Sequence, residues 1–170
     1  LVEKRKIDEQ LVCDLMSLSL IKTNNNKILF YGYESQETLQ SLGSAKCISW
    51  RSITQNTKGD CKGSDKAYSF SIPDYNNKET TRTVILAESP IDALSVATLE
   101  VIKGKKDYYQ TYKIALCGIH QKNLKDRIAK TKPQKIFLAL DNDPPGQKAT
   151  KFISNLLESI APVTCVKYNH

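Results

Sequence analysis

Apolar residues along this chain follow two rhythms, and the change between them falls near residue 82. From residue 83 onward, short unbroken apolar runs alternate with stretches whose apolar positions recur every three or four residues. Thr83-Val84-Ile85-Leu86-Ala87 is the first run, 113–117 the second, 135–140 the third and 163–166 the last. Runs of this length read as strands buried on both faces of a parallel sheet. Between the first two, 90–103 predicts a helix with Ile91, Leu94, Ala97, Thr98 and Val101 on one face. Ser89 sits at its N-cap, Pro90 at its first position, and Asp92 completes an S-x-x-D box. A second helix, about 121–132, stops before Pro133. A third starts near Pro145, carries Phe152, Ile153, Leu156 and Leu157, and closes at Pro162. The order βαβαβαβ predicts an α/β class: a parallel sheet with helices on both faces.

The first part is patterned differently. An amphipathic helix is predicted over 7–21 from Ile7, Leu11, Val12, Leu15 and Leu18, with a turn at Asn24-Asn25-Asn26. Strands are predicted over 27–33, 46–53 and 67–72, with a polar loop over 54–64. The expected division is a small α+β subdomain over 1–82 and a parallel α/β domain over 83–170, joined through 74–82.

Composition narrows the class without settling it. No apolar stretch approaches the roughly 18 residues of a membrane span, and the charged start, 1–10, is not a signal peptide. A chain that begins at Leu1 reads as a piece of a longer protein. Five scattered cysteines without a CxxC pair, and only two histidines, argue against zinc and for a reducing, cytoplasmic setting. With 13 Lys and Arg against 8 Asp and Glu, residues 83–170 carry +5 of the net +7. Such a surface suits polyanions, and equally serves solubility.

Candidate chemistry lies where two strands stop. The first runs into Glu88, and the third runs into Asp141-Asn142-Asp143. In an extended segment Asp141 and Asp143 point to the same side, and Pro144 keeps Asp143 out of helix. If the first and third strands are neighbours, about 4.8 Å apart, the chain reverses direction between them. Open α/β sheets bind ligands at that point, outside the carboxyl ends of the strands. Three hard-oxygen acids there suit Mg²⁺ or Mn²⁺. Asp143 also fits the start of the next helix, and Asp92 is explained by capping as well as by a metal role. His120 reads as a surface-loop histidine. No Gly-rich phosphate loop and no GxSxG elbow is present.

Glu88-Ser89-Pro90-Ile91-Asp92, followed by Asp141-Asn142-Asp143-Pro144-Pro145-Gly146, resembles the Toprim family, a Rossmann-like fold. Bacterial primases, topoisomerases and some nucleases share it. Its pattern is a glutamate after the first strand and D-x-D, often D-x-D-x-x-G, after the third. Ser89 stands where Gly is usual, which resembles primase-like proteins of plasmids and mobile elements. The resemblance extends upstream to Trp50-Arg51 and Gly63-Ser64-Asp65-Lys66. It implies a Mg²⁺- or Mn²⁺-dependent catalytic site of Glu88, Asp141 and Asp143, with Asp92 bound directly or through water. By analogy Arg51 and Lys66 face template or nucleotide phosphate; each alone also fits a solvated surface charge. The expected function is primase-like nucleotidyl transfer on nucleic acid, single-stranded DNA foremost, with nucleotides and the flanking domains of a larger polypeptide as partners. The rivals are a metal-dependent nuclease or strand-transfer enzyme, and a non-catalytic binding module. No tyrosine stands in a context that marks it as a topoisomerase nucleophile.

Overall fold

A computed structural model describes residues 1–34, 44–75, 82–105, 107–118 and 121–166. His120 and most of the joining segment after Tyr75 lie outside these residues. The described chain forms two sheets that share one apolar core.

The larger sheet comprises β5 (Ser71–Ile72), β6 (Thr83–Ala87), β7 (Tyr112–Ala115), β8 (Lys135–Ala139) and β9 (Val163–Cys165). Their order is β5-β7-β6-β8-β9, parallel except for β5. The strand alternation sets the layers. Val84 and Leu86 face Leu124 and Ile128 of α4 (Gln121–Thr131) and Ile153 and Leu157 of α5 (Pro144–Leu157). Ala87 faces the other way, onto Ala93, Leu94 and Ala97 of α3 (Pro90–Ile102). The sheet is therefore covered by helices on both faces, the α/β arrangement that its unbroken apolar runs require.

The smaller sheet is an antiparallel meander of β1 (Ile21–Asn24), β2 (Lys27–Gly32), β3 (Cys47–Ser52) and β4 (Lys58–Asp60). Its inner face joins α2 (Glu9–Ser17) and the α3 side of the larger sheet; Phe30 and Phe70 meet edge to face at 5.4 Å. A short helix, α1 (Val2–Arg5), precedes α2.

Three elements of this part depart from expectation. Helix α2 ends at Ser17 rather than 21, because Ser19 turns left-handed (φ 58°) and releases the β-favouring Ile21-Lys22-Thr23 into a strand. Asn24 pairs with Lys27, leaving Asn25 (φ 51°) and Asn26 as a two-residue hairpin turn. The segment read as a loop over 54–64 contains β4, whose Lys-Gly-Asp has no strand propensity and is held by its register against β3. The strand expected at 67–72 is a 3₁₀ turn, Lys66–Tyr68, capped by Asp65, followed by the two-residue β5.

Candidate metal and polyanion site

Strands β6 and β8 are hydrogen-bonded neighbours, with Ala87 level with Ala139. Both acid-bearing ends thus leave the sheet side by side. The Asp141 backbone N–H favours the Glu88 carboxylate, but it is outweighed. Burial, and then the Asp141 charge, raise the Glu88 carboxyl above its ordinary value; Asp92 adds to this, and Lys58 opposes it. Burial, Asp92 and Asp143 raise Asp141 in the same way, again opposed by Lys58. Among the described residues none of these four acids forms an ion pair. The sheet edge therefore carries crowded negative charge.

Two of the acids have local work. The Asp92 carboxylate accepts from the Ser89 backbone N–H (3.0 Å) and hydroxyl (2.6 Å), which closes a capping box on α3. Asp143 accepts from the Gly146 N–H (2.8 Å) and caps α5. Gly146 is required there: a Cβ would lie 2.1 Å from the Asp141 carbonyl oxygen. Among the described residues no three acidic, histidine or cysteine side chains converge closely enough to hold an ion between them. The Asp141 charge reaches Glu88, and the charges of the two capping acids reach Asp141. Exposed hard oxygens with unbalanced charge fit Mg²⁺ or Mn²⁺, which bind through one or two carboxylates and keep several waters.

Opposite the acids stands the smaller sheet. A cleft of about 320 Å³ opens between them, bounded by Arg51, Lys58 and Lys66 on one side and Glu88, Ser89 and Gly118 on the other. Arg51 and Lys58 are directly cross-strand on one face, a like-charge juxtaposition that is unfavourable without a neighbouring anion. Arg51 donates to the Asn56 side-chain oxygen (2.9 Å). Lys66 pairs with Asp60 (3.1 Å) and extends over Gly118, at the end of β7. Lys58 forms no ion pair among the described residues, and its charge reaches both Glu88 and Asp141. The sequence reading named Arg51 and Lys66 but missed Lys58. Its place follows from the β3–β4 register, and a polar Lys-Gly-Asp segment gives no local signal of that pairing.

A mostly parallel, helix-covered sheet with acids at its central switch point defines an α/β protein of Rossmann-like architecture. The family profile described as Toprim-like matches residues 85–170, and the chain belongs to that family. No curated protein sequence matches the chain. Among solved structures, it is similar to the primase fragment of the bacteriophage T7 primase-helicase protein. That likeness has 16% identity and a TM-score of 0.52, and covers 88% of this chain. The chain spans 58% of that fragment's length, and the likeness shows a shared fold. Among the described residues no helix is long and apolar enough to cross a membrane.

Proposed function

We propose that the chain is the core of a primase-like, metal-dependent nucleotidyltransferase acting on nucleic acid in replication or mobile-element transfer. The observation that carries this reading is the meeting of opposite charges at one cleft, where Glu88 stands before Arg51, Lys58 and Lys66 and the Lys58 charge also reaches Asp141. Membership of the Toprim-like family and the fold shared with a primase fragment support it.

Glu88 and Asp141 would hold Mg²⁺ or Mn²⁺, with Asp92 and Asp143 adding negative charge beside them. When bound, such an ion stabilises charge on phosphate oxygens during attack by a 3′-hydroxyl. The chain's own groups do the rest. Arg51 and Lys66 hold nucleotide or template phosphates, and Lys58 balances the acids until a polyanion and cation arrive together. Glu88, whose carboxyl value is raised by burial and the Asp141 charge, also helps move a proton at its carboxylate oxygen. The nucleic acid is single-stranded DNA, held through its backbone, so binding weakens as salt rises.

Primer synthesis from labelled nucleotides on single-stranded DNA tests the reading. Glu88→Gln and Asp141→Asn are each expected to cut product at least about 100-fold. If Asp141→Asn left Mn²⁺ binding unchanged, the metal assignment would be wrong, and cleavage of labelled DNA in place of synthesis would move the assignment to a nuclease. A non-catalytic binding module is the second reading. It is favoured by the capping work of Asp92 and Asp143. Metal and DNA binding without turnover in either assay would establish it.

A further inference from the structure

Only one face of the β1–β4 sheet is used by the core. Phe30 and Ile21 point inward, so the alternate positions Lys22, Lys27, Leu29, Tyr31, Ile48 and Trp50 share the outer face. A solvated sheet face is ordinarily polar. Here partly exposed rings alternate with exposed lysines. The Lys27 ammonium lies 4.0 Å from the centre of the Trp50 ring, and that of Lys22 lies 5.1 Å from the centre of Tyr31. Beside Trp50 is a hollow of about 810 Å³, bounded by the Asn24–Asn26 turn, Leu29 and Lys62. Trp50 and Asp60 border both this hollow and the cleft before Glu88, which lie on the two sides of the β3–β4 edge. Asp60, an acid that borders both, is paired with Lys66.

We propose that this outer face is a stacking platform for single-stranded nucleic acid, which crosses Tyr31 and Trp50 and passes over the β3–β4 edge into the cleft. The direction into the cleft rests on the function proposed above; the platform itself does not. Alternating rings and ammonium groups match a ligand that alternates flat bases with phosphates. A duplex hides its base faces and would meet the lysines alone. A cation–π contact at an exposed site is weaker than base stacking on an aromatic ring. An incoming base therefore displaces Lys27 from Trp50 and leaves the ammonium within reach of the adjoining phosphate.

Trp50 is the only tryptophan in the chain, so its emission reports this surface alone. The experiment titrates the protein with a labelled oligo-dT in EDTA, following Trp50 emission and oligonucleotide anisotropy together. Quenching that saturates in step with the anisotropy is expected. Trp50→Ala should weaken binding about tenfold, and Trp50→Phe, which keeps a ring, much less. Lys27→Ala and Lys62→Ala should each reduce the log–log salt slope by about 0.7, a readout on exposed side chains that survives if Trp50→Ala fails to fold. Saturated binding with unchanged emission, undiminished affinity of Trp50→Ala, unchanged salt slopes, absence of binding, or equal affinity for duplex would each overturn the platform. Because EDTA removes metal, this result is independent of Mn²⁺ binding by Glu88 and Asp141. Loss of that binding with quenching intact would remove the proposed catalysis and leave the platform standing.

Discussion

Glu88 and Asp141 are held close at a cost that a bound cation would remove. In the metal-free protein, Glu88→Gln and Asp141→Asn should each raise the melting temperature by about 2 °C, a small gain because the site is partly solvated. The sign follows from the raised carboxyl values. Each folded-state acid keeps its proton more firmly than the unfolded one, so its penalty is absent at low pH and grows as pH rises past the ordinary glutamate value of 4.5. The advantage of Glu88→Gln should vanish in acid and be full near neutrality, as read from melts across pH. Millimolar Mn²⁺ should reverse the order, because only the wild type gains binding energy. Gly146→Ala should cost about 2–3 kcal/mol in denaturant melts, since its Cβ meets backbone rather than a flexible side chain. At this scale the acids were legible because Glu88 and Asp141 each follow an apolar run, and Asp141, Asp143 and Asp92 stand within the D-x-D and S-x-x-D patterns. Lys58 was not, because its place depends on a strand partner far from any local motif.

Strands buried on both faces announce themselves, and exposed ones do not. The boundaries of β6 match the sequence reading, and those of β8 and α3 fall within a residue of it, because a continuous apolar run or a well-capped helix has a local cause. β4 and β5 exist only through pairing, which is why a loop and a longer strand were expected in their places. Strand β7 carries a charge that its pattern does not betray. Lys113 is fully buried, paired with Glu100 at 2.9 Å and donating to the Thr111 hydroxyl and the Tyr108 carbonyl. Burial lowers its tendency to hold a proton, and Glu100 offsets this in part. Removing one partner strands the other, so Glu100→Gln should cost about 3 kcal/mol, whereas the double variant Glu100→Gln with Lys113→Met, which removes both charges, should be near neutral. Urea titrations of the two variants would distinguish these outcomes.

The two sheets are tied at several independent points. β5, from the first part of the chain, extends the larger sheet beside β7. Arg127 of α4 donates to the Ser69 hydroxyl and carbonyl, and the Asp8 N–H at the start of α2 donates to the Thr98 hydroxyl of α3. The shared core joins Leu11, Leu15 and Phe30 to Ala93 and Leu94. We therefore propose that 1–82 and 83–170 unfold together. Denaturant curves from Trp50 emission and from far-UV circular dichroism should superimpose, whereas separated midpoints would mark two independent units. A change of apolar rhythm near residue 82 was legible in the sequence. The shared core was not, since periodicity marks which residues are buried but not what buries them. These ties give the cleft a further character, that of a caliper locked at one gauge. A ligand entering it should then need no closing motion to engage both walls. Capture should be governed by encounter, fast and tuned by ionic strength, with the on-rate rather than the residence time carrying most of the response to salt.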